Sequence, residues 1–298
     1  MKIKLTVLLA SSLIFVSCQK ELDITVDGST PNNGNGNGNG NSATGLLVKV
    51  VEVTNNTDTL TTLYTYDSQK RLETQIMDGM NNGMLLHDYR KFERDAMGRI
   101  SRILQFTDQN GTPSDTAVNT IHYPDASTSN YDYTLNNIGV QGFSVIDSSV
   151  YSYTAGKMMS IVSYLSSPLL GPVAMQTSKL DFTYDGSARV SSMKMYNSSA
   201  PGSPLTAIAN QTYTYGSSLN GNYATNNGAQ NYLLGGMPNA TNDALTSLKM
   251  DDLTGANPGV NALVKMTYVL GAGNRPLSMV ATTTGSQPSV SKLNFYYQ

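Results

Sequence analysis

One short pattern recurs along the chain and restricts its fold more than any other feature. It is clearest at Leu63-Tyr64-Thr65-Tyr66-Asp67-Ser68-Gln69-Lys70-Arg71-Leu72. Two aromatic residues stand two apart, an aspartate follows, and an arginine and an apolar residue close the unit. Phe92-Glu93-Arg94-Asp95-Ala96-Met97-Gly98-Arg99-Ile100 keeps the spacing, as does Phe182-Thr183-Tyr184-Asp185-Gly186-Ser187-Ala188-Arg189-Val190. Weaker copies begin at Tyr151-Ser152-Tyr153, ahead of Gly156-Lys157-Met158, and at Met266-Thr267-Tyr268, ahead of Gly273-Asn274-Arg275. Tyr213-Thr214-Tyr215-Gly216 retains only the first half.

Residues two apart on a strand share a face, so Tyr64 and Tyr66 point the same way. An aspartate opens a turn by accepting bonds from the backbone amides ahead of it. Asp67, Asp95 and Asp185 are placed to do so. Gly98 can take the positive φ that costs other residues about 1 kcal/mol or more. Arg71, Arg99 and Arg189 then begin the return strand, their stems over aromatic faces and their heads near the aspartate. Each unit reads as a β-hairpin. The tyrosines fill a core or cover the sheet; a row of them could also serve as a ligand platform.

Between the copies, Thr, Val, Tyr, Leu and Met alternate with polar residues, and turns recur about every 10–15 residues. Roughly 14–16 strands are expected over residues 46–298, forming one all-β domain. Hairpins in series make a long antiparallel meander whose apolar face must be buried. It is expected to curl into a barrel or half-barrel, with a β-sandwich as the alternative. The sole helix signal is Asn242 to Met250, with Asn242 or Asp243 as N-cap.

The consensus aromatic-x-aromatic-Asp-x-x-Gly-Arg-apolar resembles the YD repeat of Rhs-type proteins and the YD-like repeats of uncharacterised Bacteroidota lipoproteins. In large Rhs proteins such repeats wind into a shell around a toxin; the copies here are too few for that.

The N-terminus carries an address. Lys2 and Lys4 precede an apolar run from Leu5 to Val16, too short to span a bilayer as a helix and shaped as a signal peptide. Phe15-Val16-Ser17-Cys18 resembles a bacterial lipobox, which implies removal of residues 1–17 and lipid on the sulfur of Cys18. A lone cysteine has no disulfide partner within its own chain. Gln19-Lys20-Glu21-Leu22-Asp23 resembles the charged tether of surface-displayed Bacteroidota lipoproteins. Residues 18–45, with alternating Asn and Gly, cannot form a core, and their Gly-rich part reaches on the order of 25 Å. The expected location is the outer membrane, lipid-anchored, with the body on the cell surface.

Chemistry-bearing patterns are sparse. The 19 Lys and Arg against 21 Asp and Glu include no basic cluster, which argues against nucleic acid. The two histidines, His87 and His122, lie far apart. Asp251-Asp252 is a solvated pair rather than a metal site. Glu52, Glu73 and Glu93 suggest no catalytic pairing. No catalytic residue, cofactor or metal is assigned. The expected function is a non-enzymatic binding or structural role in the envelope. Its partners are the membrane, through the lipid, and a glycan, protein or hydrophobic ligand. The alternatives are a periplasm-facing carrier of a hydrophobic molecule, which the 14 Met residues would suit, and a hydrolase of extracellular polymer.

Overall fold

The computed structural model describes residues 46–297 except 82, 110–111, 114–116, 141–142, 168–170, 201, 220–229, 235–237, 239–242, 256–260 and 286–287. Cys18, the signal segment and the tether lie outside the described residues. The strands are β1 (Leu47–Thr54), β2 (Asp58–Tyr66), β3 (Leu72–Asn81), β4 (Met84–Arg94), β5 (Ile100–Gln109), β6 (Thr112–Pro113), β7 (Ala117–His122), β8 (Tyr133–Val140) and β9 (Phe143–Thr154). They continue with β10 (Lys157–Ser167), β11 (Gly171–Tyr184), β12 (Val190–Ser198), β13 (Leu205–Ser218), β14 (Asp243–Asp252), β15 (Ala262–Leu270), β16 (Pro276–Gly285) and β17 (Ser289–Tyr297). A single helical turn, α1 (Gln230–Leu233), lies between β13 and β14.

Strand pairs with strand antiparallel in chain order, and β1 closes on β17. The two-residue β6 only extends the edge of β5, which goes on to pair with β7. The wall is therefore a closed sixteen-stranded meander barrel, not a half-barrel or sandwich. Full closure removes the exposed edges that a long open sheet would present.

The segment read as a helix, Asn242 to Met250, is instead largely β14, which pairs with β13 from Ser218↔Asp243 to Ala209↔Asp252. The misleading signal was the three-residue spacing of Leu245 and Leu248. A register shift opposite Thr214 and Tyr215 inserts Thr246, so both leucines face inward despite that spacing. The same device recurs near the start of β1, β3, β5, β10, β12 and β16, where Val48, Glu73, Ser101, Met159, Ser191 and Leu277 are the extra residues.

These bulges organise the interior into rings. Leu47, Leu72, Ile100, Tyr131, Met158, Val190, Leu245 and Pro276, one from each descending segment, are all buried at one end. Three residues further on, Val50, Gln75, Ile103, Thr134, Ile161, Met193, Leu248 and Met279 form another buried ring. The ascending strands insert the first aromatic positions of the repeat, among them Phe92, Tyr151, Phe182, Tyr213 and Phe295, with Tyr64 packed against them.

The second aromatic position stitches neighbouring hairpins. The hydroxyls of Tyr66, Tyr123, Tyr153 and Tyr184 donate to the carbonyls of Leu47, Ile100, Tyr131 and Met158 at 2.7, 2.8, 2.9 and 2.6 Å. Those of Tyr215, Tyr268 and Tyr297 reach Val190, Leu245 and Pro276 at 2.8, 3.0 and 2.7 Å. Arg94 holds the eighth position, its guanidinium donating to the Leu72 carbonyl at 3.2 Å. Hydrophobic packing and this hydrogen-bonded belt plug one end of the barrel.

The outer wall carries charge along its strands. Lys179, Lys194, Lys265 and Lys292 stand near mid-strand, each between inward-facing residues and hence pointing outward. One such charge facing lipid at mid-depth costs about 2–4 kcal/mol, so four would cost roughly 8–16 kcal/mol. Outward pairs such as Arg102–Glu93 at 2.8 Å and Lys249–Asp251 at 2.8 Å repeat the theme. Among the described residues no helix is long and apolar enough to cross a membrane.

Candidate ligand site in the barrel lumen

The turn residues gather at the plugged end and share one geometry. Asp67 Oδ1 accepts from the amides of Gln69 and Arg71, both at 2.9 Å, while Oδ2 accepts from Arg71 Nε at 2.7 Å. Asp95 repeats this with Met97 and Arg99, and Asp185 with Ser187 and Arg189. Lys70, Gly98 and Ala188 all take positive φ, at 62°, 81° and 62°. The backbone amide of Arg189, then its side chain, hold the Asp185 carboxyl below its ordinary range. Arginine guanidinium groups lie over the stitching tyrosine of the following hairpin, Arg99 over Tyr123 at 4.1 Å and Arg189 over Tyr215 at 5.0 Å. These residues fasten one hairpin to the next, and none of the turn aspartates or arginines lines the cavity described below.

Below the buried rings the lumen divides. Over β11 to β17 its wall is largely apolar and packed, with Leu180, Met195 and Val264 against buried Met266, Ala281 and Leu293. The buried Gln211 of this sector accepts from Tyr213 Oη at 2.6 Å. Over β4 to β10 the wall is polar. Register places Arg90 beside Gln105, Asn119 beside Asn136, Asn136 beside Asp147, and Ser149 beside Ser163.

A cavity of about 170 Å³ lies against this polar sector, lined by Arg90, Gln105, Asn119 and Asn136 with Ile103, Ala117 and Tyr151. Tyr232 and Leu233 of α1 cover it. Tyr232 meets Tyr151 and Phe182 edge to face at 6.4 Å, which seats the helical turn inside the barrel. Inward residues toward the opposite end, Thr107 and Asp147 among them, are only half-buried.

The polar groups here are unevenly satisfied. Asp88, buried on β4, accepts from Arg90 Nε at 3.1 Å, Gln105 Nε2 at 3.1 Å and Thr107 Oγ1 at 2.6 Å. The terminal nitrogens of Arg90 have no hydrogen-bond partner among the described residues. Asn119 Oδ1 and Asn136 Oδ1 are buried with no partner among the described residues, and Gln75 Oε1 shares that state. Each such orphan costs about 1–3 kcal/mol. Burial raises the Asp147 carboxyl above its ordinary range.

The other residues considered from sequence fall elsewhere. His87 and His122 face outward, paired with Asp78 at 2.5 Å and Asp132 at 2.7 Å. Asp251 pairs with Lys249, and Asp252 accepts from Thr254. Glu93 pairs with Arg102. No group of three or more metal-ligating side chains occurs among the described residues. The cavity residues escaped the sequence reading, although a signal existed. Two residues before the first aromatic position, the successive hairpins carry Arg90, Asn119 and Ser149, polar where later copies have Leu180, Val264 and Leu293, with Gln211 the exception.

No family model matches the chain. No curated protein matches it either. Among solved structures, it is similar in outline to a porin-like protein from Bacteroides uniformis ATCC 8492, with 14% identity and a TM-score of 0.49 over 85% of this chain and 96% of that one. A porin-like protein from Bacteroides vulgatus ATCC 8482 gives 11% identity and a TM-score of 0.45 over 85% and 98%.

Proposed function

We propose that the protein is a non-enzymatic binding protein of the cell envelope, a water-exposed barrel held to the outer membrane by lipid on Cys18 and displayed on the cell surface. The outward lysines carry this reading, because a wall charged at mid-height belongs in water and then needs a separate anchor. Topology adds an orientation. Leu47 starts β1 at the plugged end, so a membrane tether would join the body there and the opposite end would face away from the membrane. Neither histidine pair lies in the lumen, so no serine–histidine pair forms there among the described residues.

Two measurements test this. Cys18→Ala should move the protein from the membrane to the soluble fraction. Protease added to intact cells should digest the body while a periplasmic control survives. Persistence of the variant in the membrane defeats the anchor, and protection of the body defeats surface display.

A further inference from the structure

We propose that the polar sector of the lumen binds one ring of a neutral sugar, an inference that rests on the binding-protein reading above. Asn119 and Asn136 stand side by side on β7 and β8, each with a buried amide oxygen that finds no donor. Arg90, on the same wall and about a third exposed, offers terminal N–H groups that find no acceptor among the described residues. A ligand that satisfies both must donate and accept within a few ångströms. Hydroxyl groups do this, and several on one ring do it in several directions. Turning an amide over would put a donor where the acceptor stands, and a hydroxyl, which both donates and accepts, suits either orientation.

The rest of the lining agrees. Tyr151 and Tyr232 supply aromatic surface beside the amides, suited to the C–H face of a pyranose. The cavity's roughly 170 Å³ has room for several waters, the space a single sugar ring would take over. Charge argues for a neutral ligand. Asp88 already pairs with Arg90, and Asp147 lies opposite Asn136, so an anion would meet two carboxylates and one compensated arginine. An aliphatic chain would leave the amides and the guanidinium unpaired.

The test is saturation-transfer NMR on the full chain in detergent, with methyl α-D-glucopyranoside, methyl α-D-mannopyranoside, methyl β-D-galactopyranoside and N-acetylglucosamine as probes and inorganic phosphate as the anionic competitor. At least one glycoside should give a signal that phosphate does not displace. Asn119→Leu and Asn136→Leu should each weaken binding at least tenfold, whereas Lys265→Ala on the outer wall should not change it. Both leucine variants remove an unsatisfied buried amide and should keep the native melting profile. If either unfolds, amide shift mapping on the unaltered protein decides, and the perturbed side chains must include Asn119 and Asn136. Silence from all four glycosides, displacement by phosphate, undiminished binding by a folded leucine variant, or shifts elsewhere would overturn the inference. Such a failure leaves the anchored-barrel reading standing if protease still digests the body on intact cells.

Discussion

Arg94→Tyr should stabilise the barrel. Seven of the eight stitching positions carry a tyrosine whose hydroxyl donates to a carbonyl of the neighbouring hairpin, and Arg94 is the exception. Elsewhere the turn cation lies over the next tyrosine, as Arg99, Arg189 and Arg275 do at 4.1, 5.0 and 5.1 Å and Lys157 does at 5.3 Å. Arg71, the corresponding cation of its turn, meets a guanidinium instead. Burial first, and then the Arg71 charge, lower the Arg94 pKa.

Tyrosine would keep the bond to the Leu72 carbonyl, worth about 1 kcal/mol, and give Arg71 a ring to cover, worth about 0.5–2 kcal/mol. It would also remove a partly buried charge. Against this stands the bond from Arg94 Nη1 to the Gly98 carbonyl at 3.0 Å, for which about 1.5 kcal/mol is a fair allowance. The kept bond cancels, and the ring contact less the lost bond comes to about −1 to +0.5 kcal/mol. Relief of the Arg71 repulsion adds about 1 kcal/mol. The balance is about 0–1.5 kcal/mol, or no more than roughly 6 °C in a domain of this size. Thermal melts by circular dichroism would measure it. Because like-charge repulsion is screened by salt, the gain should shrink between low and high ionic strength. A variant that melts below the parent at both salt concentrations would refute the misfit argument and show that the two carbonyl contacts of Arg94 outweigh its repulsion by Arg71.

Tyr215→Phe should cost about 1 kcal/mol, read as a lower urea midpoint with an unchanged slope, because it deletes one stitch and keeps the ring. Gly79→Ala should cost more than about 1 kcal/mol in the same assay. Its φ is +140°, and a Cβ there would stand 2.1 Å from the Thr59 carbonyl oxygen across the ladder. Asp147→Asn should raise the melting temperature at pH 7 and do nothing at pH 3. Burial raises the folded pKa of Asp147, so the parent loses stability as pH climbs from the unfolded value through the folded one; an equal gain at both pH values would contradict this.

Much of the architecture was legible in the sequence because a hairpin repeat is a local code. Tyr64 and Tyr66 announce a strand face, Asp67 a turn and Arg71 the return, all within one short window. Closure was not local. It depends on β1 and β17 meeting end to end, from Leu47↔Tyr297 to Thr54↔Ser291, and no window contains both. The bulges also hid information. A strand is recognised by its period of two, and an inserted residue turned Leu245 and Leu248 into a helix-like pair.

The cavity was least legible for a physical reason. Its residues obey the strand pattern, so Arg90, Asn119 and Asn136 read as ordinary outward polar positions until the register is known. A shift by one residue exchanges the lumen for solvent. The buried rings fix that register from the plugged end, since Ile103 and Thr134 can be buried only if Gln105 and Asn136 also face inward. The same packing that stabilises one end thus carries unpaired polar groups into the lumen at the other. A filled core alone does not require them. They make the polar sector, rather than the aromatic repeat, the place to look for what this protein binds.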